Sequence, residues 1–387
     1  MIREILYSFH KIMEPYSVYI HIPYCKKKCR YCNFLSTAPE AKDIDTYIEA
    51  MKSELSLYKP FLSNREIKSI FIGGGTPSLL EPDQIKQIIA AISLSLTIKD
   101  TVEITMEANP ESISAEKLKA MHNLGINRLS IGLQSFDDTV LKSLGRIHNA
   151  ESSFAAIEKA RSAGFRNINV DIIYGIPSQD IAKELNGIKA ITPEHVSFYY
   201  LTIEQGTPLS MDKIFKPLND DSFQELYLKI HDEMTGTGYE HYEVSNFAKK
   251  GYRSVHNMNY WQRGDYVGIG SGAHGFFKTG LPWIGMTAQA RYENAYPPSA
   301  YIEKALSSDG NNVFPISRVE VLDNDAETLE NIFLSLRTWK GIDTNLVKNK
   351  TLLKHLTDDG LIQVNDDKLN LTVKGMCVMD GIVTELF

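Results

Sequence analysis

The sequence predicts an α/β fold: an open, partial TIM-like (β/α)6 barrel followed by a smaller α+β, winged-helix-like unit. Three observations carry this. Short β-rich runs alternate with helical segments through the first half of the chain. Polar residues recur at the carboxyl ends of successive runs, where parallel sheets place their sites. Beyond about Asp325 the order changes to helix, helix, hairpin, helix. Six units fall short of the eight that close a barrel.

The strands are read from SVYIHIP (from Ser17), SIFIGGG (from Ser69), VEITMEA (from Val102), RLSIGLQ (from Arg128), NINVDIIYG (from Asn167) and HVSFYYLT (from His195). Between them, DIDTYIEAMKSELSLYK has Asp43 placed to cap a helix with apolar residues at helical spacing. EPDQIKQIIAAISLSL, SAEKLKAMHNLG and NAESSFAAIEKARSAG read as helices too. The last two stop at Gly125 and Gly164, as a left-handed C-cap favours. DDSFQELYLKIHDEMTGTG is a further helix and YEHYEVSNFA a strand. Ser254 to Gly275, rich in Gly, Tyr, Asn and His, reads as ordered loop. AETLENIFLSLRTW and TNLVKNKTLLKHLTDDG are helices, LIQVNDDKLNLT a hairpin, and the C-terminus a last helix. The expected division is a barrel at 1–250, a connecting region at 251–320 and a C-terminal unit at 321–387.

A net charge of −7 argues against nucleic acid as the main partner, since phosphate binding shows as a basic excess. No apolar run is long enough to span a bilayer. The segment MIREILYSFHKIMEPY is charged throughout and lacks a signal core, so the expectation is a cytoplasmic protein. In that compartment four cysteines suit metal or redox roles better than a disulfide framework.

Three of those cysteines lie in YCKKKCRYCNF, Tyr24 to Phe34. Buried structural cysteines do not cluster this way, and the surrounding Lys26, Lys27, Lys28 and Arg30 favour thiolates. Structural zinc wants a second cysteine pair, which is absent, although His21 could supply a fourth ligand. A [4Fe–4S] cluster fits three thiolates better and leaves one iron open for a small molecule. Cys377, in an apolar C-terminal segment, reads as structural.

CKKKCRYC is the C-x3-C-x2-C pattern of the radical S-adenosylmethionine (SAM) superfamily, which the sequence resembles here and again at GGGTP, Gly73 to Pro77. There the amino and carboxylate groups of SAM complete the cluster. Glycines at 73–75 would let backbone N–H groups approach a ligand. VYIHIPYC, FIGGGTPSLL, ITMEANPESI, RLSIGLQSFDD, LKSLGRIHN and NVDIIYGIPSQ resemble the oxygen-independent coproporphyrinogen III oxidase-like (HemN-like) group from about Tyr16 onward. The resemblance implies cluster ligands Cys25, Cys29 and Cys32. It implies a SAM site of Tyr19, Tyr31, Gly74, Gly75, Thr76, Glu107, Gln134, Arg146 and Asp171. Those side chains suit SAM: carboxylates for ammonium or ribose hydroxyls, an amide, and a guanidinium for its carboxylate.

Two departures separate the sequence from the oxidases. They carry a further cysteine where Phe34 stands, and HNMNYW (His256 to Trp261) fits the HN-x-x-YW signature of HemW-type haem chaperones, which it resembles on both counts. That resemblance implies haem binding by His256, Asn257, Tyr260 and Trp261, haem donor and acceptor proteins as partners, and involvement in porphyrin metabolism. It leaves open a homodimer and peripheral contact with membrane-bound acceptors. Imidazole is a normal axial ligand, and Tyr260 and Trp261 offer flat faces to a porphyrin. Taken without the resemblance, His256 reads better as a satisfied interior histidine than as a ligand, and the resemblance reverses that preference; His274, in GSGAHG, is the fallback ligand. The alternatives are a coproporphyrinogen III dehydrogenase and a radical SAM enzyme that degrades haem.

Overall fold

Alternation in the first strand decides how the sheet faces. In β1 (Tyr16–Ile22), Val18, Ile20 and Ile22 are buried on one face, while Ser17, Tyr19 and His21 point to the other. Parallel pairing with β2 (Ile67–Gly74) sets Ser17 beside Ser69, Tyr19 beside Phe71 and His21 beside Gly73. β3 (Glu103–Ala108), β4 (Arg128–Gln134), β5 (Ile168–Tyr174) and β6 (His195–Tyr200) follow in order, each parallel to the last. Ile70, Met106, Leu129, Val170 and Val196 pack against helices on the outer face. The inner face is polar and in register: Glu107 stands beside Ser130, Gly132 beside Asp171, and Asn169 beside His195. This computed structural model describes residues 14–38, 41–212, 215–307 and 313–387. The reading of the N-terminal segment falls mainly on residues 1–13, outside those described.

The stretch expected as ordered loop is instead structured. It contains a helix, Val255–Trp261, then β9 (Tyr266–Ile269) and the start of β10 (His274–Phe277). β9 pairs parallel with β1 on the side away from β2, so the sheet gains a seventh parallel strand. A run as short as YVGI, bordered by Gly264 and Gly270, does not rise above its loop-like surroundings. β10, β11 (Ala290–Asn294) and β12 (Ile316–Val321) extend this edge antiparallel. At the opposite edge YEHYEVSNFA forms two strands rather than one, paired as a hairpin: β7 (Glu240–Glu243) and β8 (Asn246–Ala248).

Local signals mostly hold. Gly125 and Gly164 end their helices at φ +92° and +108°. Asp43 is not the cap of its helix, which starts at Ala41 and carries Asp43 in its first turn, where the helix dipole favours a carboxylate. In the C-terminal unit the helix Asn324–Leu336, β13 (Ile342–Asp343) and the helix Lys350–Asp358 come before the hairpin of β14 (Ile362–Asn365) and β15 (Lys368–Leu371), and β13 pairs with β15 to make a three-stranded sheet. The second helix begins later than its sequence suggests because Asn349 caps it, accepting from the Leu352 N–H at 3.0 Å. Ile332, Leu336, Ile362, Leu369 and Met379 give this unit its own apolar core.

Buried charges pin β9 in place. Asp265, just before it, pairs with Arg65 at 2.7 Å, both almost wholly buried. The Asp265 carboxylate also accepts from the Lys278 N–H at 2.9 Å, and its backbone carbonyl accepts from Ser17 N–H at 3.0 Å. Past the strand, buried Glu54 accepts from the Gly270 N–H, the Asn294 amide and the Tyr301 hydroxyl at 2.9, 2.7 and 2.6 Å. Burial lifts this carboxyl to about 7 despite those bonds. Removing one partner of a buried pair strands the other, so Asp265→Ala is expected to cost roughly 3–5 kcal/mol. Urea unfolding measures it; a loss below about 1 kcal/mol, the range of an exposed pair, would show that the Arg65 pair is not what holds this edge.

Candidate active site

The cysteine loop leaves β1 at Ile22 and is tied down on three sides. Cys25 N–H donates to Thr37 O at 3.0 Å, and Thr37 N–H returns to Pro23 O at 2.8 Å. Beneath the loop, Gly75 N–H donates to Ile22 O at 2.8 Å and Thr76 N–H to Tyr24 O at 2.7 Å. On its far side Arg30 donates to Ser143 O at 3.0 Å and pairs with Asp212 at 2.6 Å. Cys25, Cys29 and Cys32 are free thiols, partly exposed, and all three line one cavity of about 400 Å3. Burial and the neighbouring Cys29 and Cys25 push the Cys32 thiol up, against the Phe34 N–H and Lys28.

The glycines do something other than expected. The N–H groups of Gly75 and Thr76 are engaged with the cysteine loop, and Gly74 N–H donates to Glu107 at 2.9 Å, so they are not free for a ligand. Their lack of side chains matters for packing. Gly74 has φ +115°, and a Cβ there would lie 2.6 Å from the His21 ring; one on Gly75 would lie 2.5 Å from Tyr24 O.

Tyr31, Gly74, Gly75, Thr76, Glu107, Gln134, Arg146 and Asp171 all line the same cavity. Tyr19 does not: it sits one layer deeper, its hydroxyl 2.9 Å from His21 Nδ1. Gln134 is a non-glycine residue at φ +68°, where the β4–β5 register shifts. Such backbone persists only when its surroundings fix it, and here it turns the amide into the cavity. Arg146 donates to Asn109 Oδ1 at 2.7 Å and Gly132 O at 2.9 Å, and reaches Cys29 Sγ at 3.5 Å. Asn109 also donates to Thr76 Oγ1 at 3.1 Å, which itself reaches Cys25 Sγ at 3.5 Å. Asn109 thus joins both cysteine-contacting residues. Sequence reading passed over it, although an Asn–Pro step at a strand's carboxyl end was visible. Tyr199 and Glu204 also line the cavity unanticipated.

Two acids form the floor. Burial lifts Glu107 to about 8, helped by Asp171 and opposed by the Gly74 N–H and Arg128. Asp171 is raised by burial as well, against bonds from Asn169 at 2.8 Å and Ser130 at 3.3 Å. A pocket holding two reluctant carboxyls stabilises a bound cation, and SAM carries both an ammonium and a sulfonium.

The donor set discriminates between metals. No three His, Cys, Asp or Glu side chains among the described residues converge on one ion. A single zinc needs such convergence. The thiolates of a cubane bind different irons and need only surround it, so the three cysteines fit a [4Fe–4S] cluster.

His256 lies elsewhere. Its helix is capped by Ser254 Oγ, which accepts from Asn257 N–H at 3.2 Å, and by Glu103, which accepts from the N–H groups of Val255 and His256 at 3.2 and 3.1 Å. Glu103 begins β3, so this helix plugs the amino-terminal end of the barrel, opposite the cysteines. The His256 ring is 1% exposed, with Nδ1 bonded to Ser69 Oγ and Nε2 to Tyr260 OH, each at 2.9 Å. Burial lowers it to about 3, keeping it neutral. Tyr260 is half-buried and Trp261 lies under Arg337, 4.4 Å from the guanidinium carbon. Asn257 is half-buried on the same helix. A haem iron could reach neither His256 nitrogen without breaking a buried bond, so the expected ligand role does not fit this arrangement. Cys377 is half-buried, donates to Val373 O at 3.6 Å and is pushed up by burial to about 11, far from thiolate chemistry.

The sequence profile described as the Radical SAM superfamily matches residues 19–185. A curated relative, "Heme chaperone HemW" of Haemophilus influenzae, is 34% identical over 97% of this chain and 98% of its own. "Radical S-adenosyl methionine domain-containing protein 1, mitochondrial" of Bos taurus is 33% identical over 96% and 87%. Among solved structures, the coproporphyrinogen III oxidase HemN of Escherichia coli superposes with a TM-score of 0.81 at 22% identity, covering 99% of this chain and 92% of that one, a likeness of fold.

Two predictions follow from the geometry. After anaerobic iron–sulfur reconstitution, Cys25→Ala, Cys29→Ala or Cys32→Ala should abolish the cluster's visible absorption, whereas Cys377→Ala should keep it; loss in Cys377→Ala would overturn the ligand set. A carboxyl raised from its unfolded value to about 8 binds more protons folded than unfolded, so its contribution to stability falls as pH rises through that window. Glu54 ceases to contribute above about 7. Between pH 7 and 8 the SAM-free protein should therefore lose stability relative to Glu107→Gln, read by urea midpoints; parallel slopes would contradict the raised carboxyl.

Proposed function

The chain belongs to the HemW family within the radical SAM superfamily, and from that premise we propose that it is a haem chaperone: it binds haem and delivers it to haem-requiring acceptor proteins of the cytoplasm or its membrane. In this reading Cys25, Cys29 and Cys32 hold a [4Fe–4S] cluster, and Arg146, Gln134, Glu107 and Asp171 hold SAM beside it. Bound and reduced, such a cluster supplies the electron that cleaves SAM. The chain's own part is positional. Arg146 is set by Asn109 and Gly132 to offer a charge to the SAM carboxylate. Glu107 and Asp171 favour the cationic part of SAM, which draws Glu107 toward its ionised form.

The observation that carries the reading is the character of residue 34. The cavity holds three cysteines and no fourth; Phe34 lines it instead and is 65% exposed. An apolar ring at that rim adds no ligand and no redox group. It suits contact with a flat apolar cargo better than oxidation of a substrate.

The test is anaerobic reconstitution of the full chain, with haem added and binding followed by absorbance. One haem per chain, passed on to an apo-haem acceptor protein, and no protoporphyrinogen formed from coproporphyrinogen III, is the expected result. Porphyrinogen turnover without haem binding would replace this reading with that of a dehydrogenase. SAM-dependent loss of the haem band under reduction would replace it with haem breakdown.

A further inference from the structure

A haem site asks for an imidazole nitrogen that can reach iron, apolar side chains against the porphyrin, and cations for its propionates. His256 fails the first requirement. The exposed histidines among the described residues are His122, His274 and His355. His122 packs against Phe165, with ring centroids 5.2 Å apart, near the end of its helix, and His355 lies in the C-terminal unit. His274 alone of the three stands beside the cysteine loop.

Its position follows from the chain path. β9 runs parallel to β1 and ends level with the carboxyl ends of the barrel strands; Ala273 N–H then closes a turn on Gly270 O at 3.2 Å, and β10 starts at His274. Among the described residues the His274 ring has no hydrogen-bond partner. It is close enough to His21 to act on it: burial lowers His21 to about 4, the Leu35 backbone opposes this, and His274 reinforces it. In the turn itself Gly272, at φ +69°, leaves room for two side chains. A Cβ there would lie 3.3 Å from Leu35 Cδ1 and 3.9 Å from Tyr296. Leu35 and Tyr296 are 41% and 40% exposed, and Phe34, next to Leu35 in the chain, lines the rim of the cysteine cavity. The cations are on the same loop: Lys26, Lys27 and Lys28 are all exposed.

We propose that haem docks on this rim, over Leu35, Phe34 and Tyr296, with His274 as its axial ligand. The proposal rests on the haem-chaperone reading and assigns it a site. Glu293, the cross-strand partner of His274, is the carboxylate placed to steady the imidazole as it binds iron. An open rim with a single imidazole also suits a cargo that must leave again, because nothing has to unfold to release it.

The experiment uses the full chain with its cluster loaded, so that the thiolates are occupied, and titrates haem into wild type, His274→Ala and His256→Gln. Absorbance gives affinity, and resonance Raman of the ferrous form gives the iron–imidazole stretch. His274→Ala should lose that stretch and bind at least about tenfold more weakly, with free imidazole restoring the signal. His256→Gln should keep both while melting at a lower temperature. If His274→Ala keeps the stretch, the proposal is overturned, whether or not His256→Gln loses it, and the chaperone reading stands. If wild type binds no haem, that reading falls and takes the site with it.

Discussion

Two backbone hydrogen bonds set everything at the site: Gly75 N–H to Ile22 O and Thr76 N–H to Tyr24 O. They stitch the chain leaving β1 to the chain leaving β2, and the cysteine loop hangs from that seam. Glycine at 74 and 75 is required because the seam is tight, with His21 and Tyr24 lying where side chains would go. Once the seam is closed, Thr76 is within reach of Cys25, and Asn109 at the end of β3 can hold Thr76 and Arg146 together. Strand order alone then brings Glu107, Gln134 and Asp171 under the loop.

Electrostatics adds direction to that frame. The inner face is polar at every level, which a sheet tolerates only when its groups are paired. Near the middle Asn169, His195 and Tyr242 satisfy one another at 2.6 and 2.7 Å. Toward the cavity the pairing is incomplete by design of charge: Arg128 is buried and draws both Glu107 and Asp171 downward, yet burial still holds both carboxyls up. The floor is left short of positive charge, and the missing charge is what the proposed ligand carries.

What the sequence made legible was the part ruled by short-range patterns. The C-x3-C-x2-C spacing, the run GGGTP and the polar residues at Glu107, Gln134 and Asp171 could be placed from strand periodicity, because period and chain direction fix which end of a parallel strand a residue occupies. What it hid depends on partners distant in sequence. β9 is four residues long and is a strand because β1 offers it an edge and Asp265 finds Arg65. Tyr19 has the right strand but sits a layer too deep. The N–H groups of Gly74 to Thr76 looked available because their acceptors, Glu107, Ile22 and Tyr24, come from elsewhere. For His256 the residue pattern alone favoured a satisfied core histidine while the resemblance favoured a ligand, and the positions of Ser69, Tyr260 and Glu103 separate the two.

That separation is energetic as well as geometric. Exposing His256 to an iron would break a hydrogen bond within a buried chain running Ser17, Ser69, His256, Tyr260. It would also shift a helix whose first turn rests on the Glu103 carboxylate and whose last residue carries Arg337 of the C-terminal unit. Each buried polar group left unpaired costs roughly 1–3 kcal/mol, so a ligand at His256 must first repay the stranded Ser69 or Tyr260 hydroxyl as well as the shifted helix. A ligand on the rim at His274 repays none. The HN-x-x-YW helix is therefore the plug that closes the amino-terminal end of the barrel and joins the C-terminal unit to it, at the end opposite the cysteines and the proposed haem site.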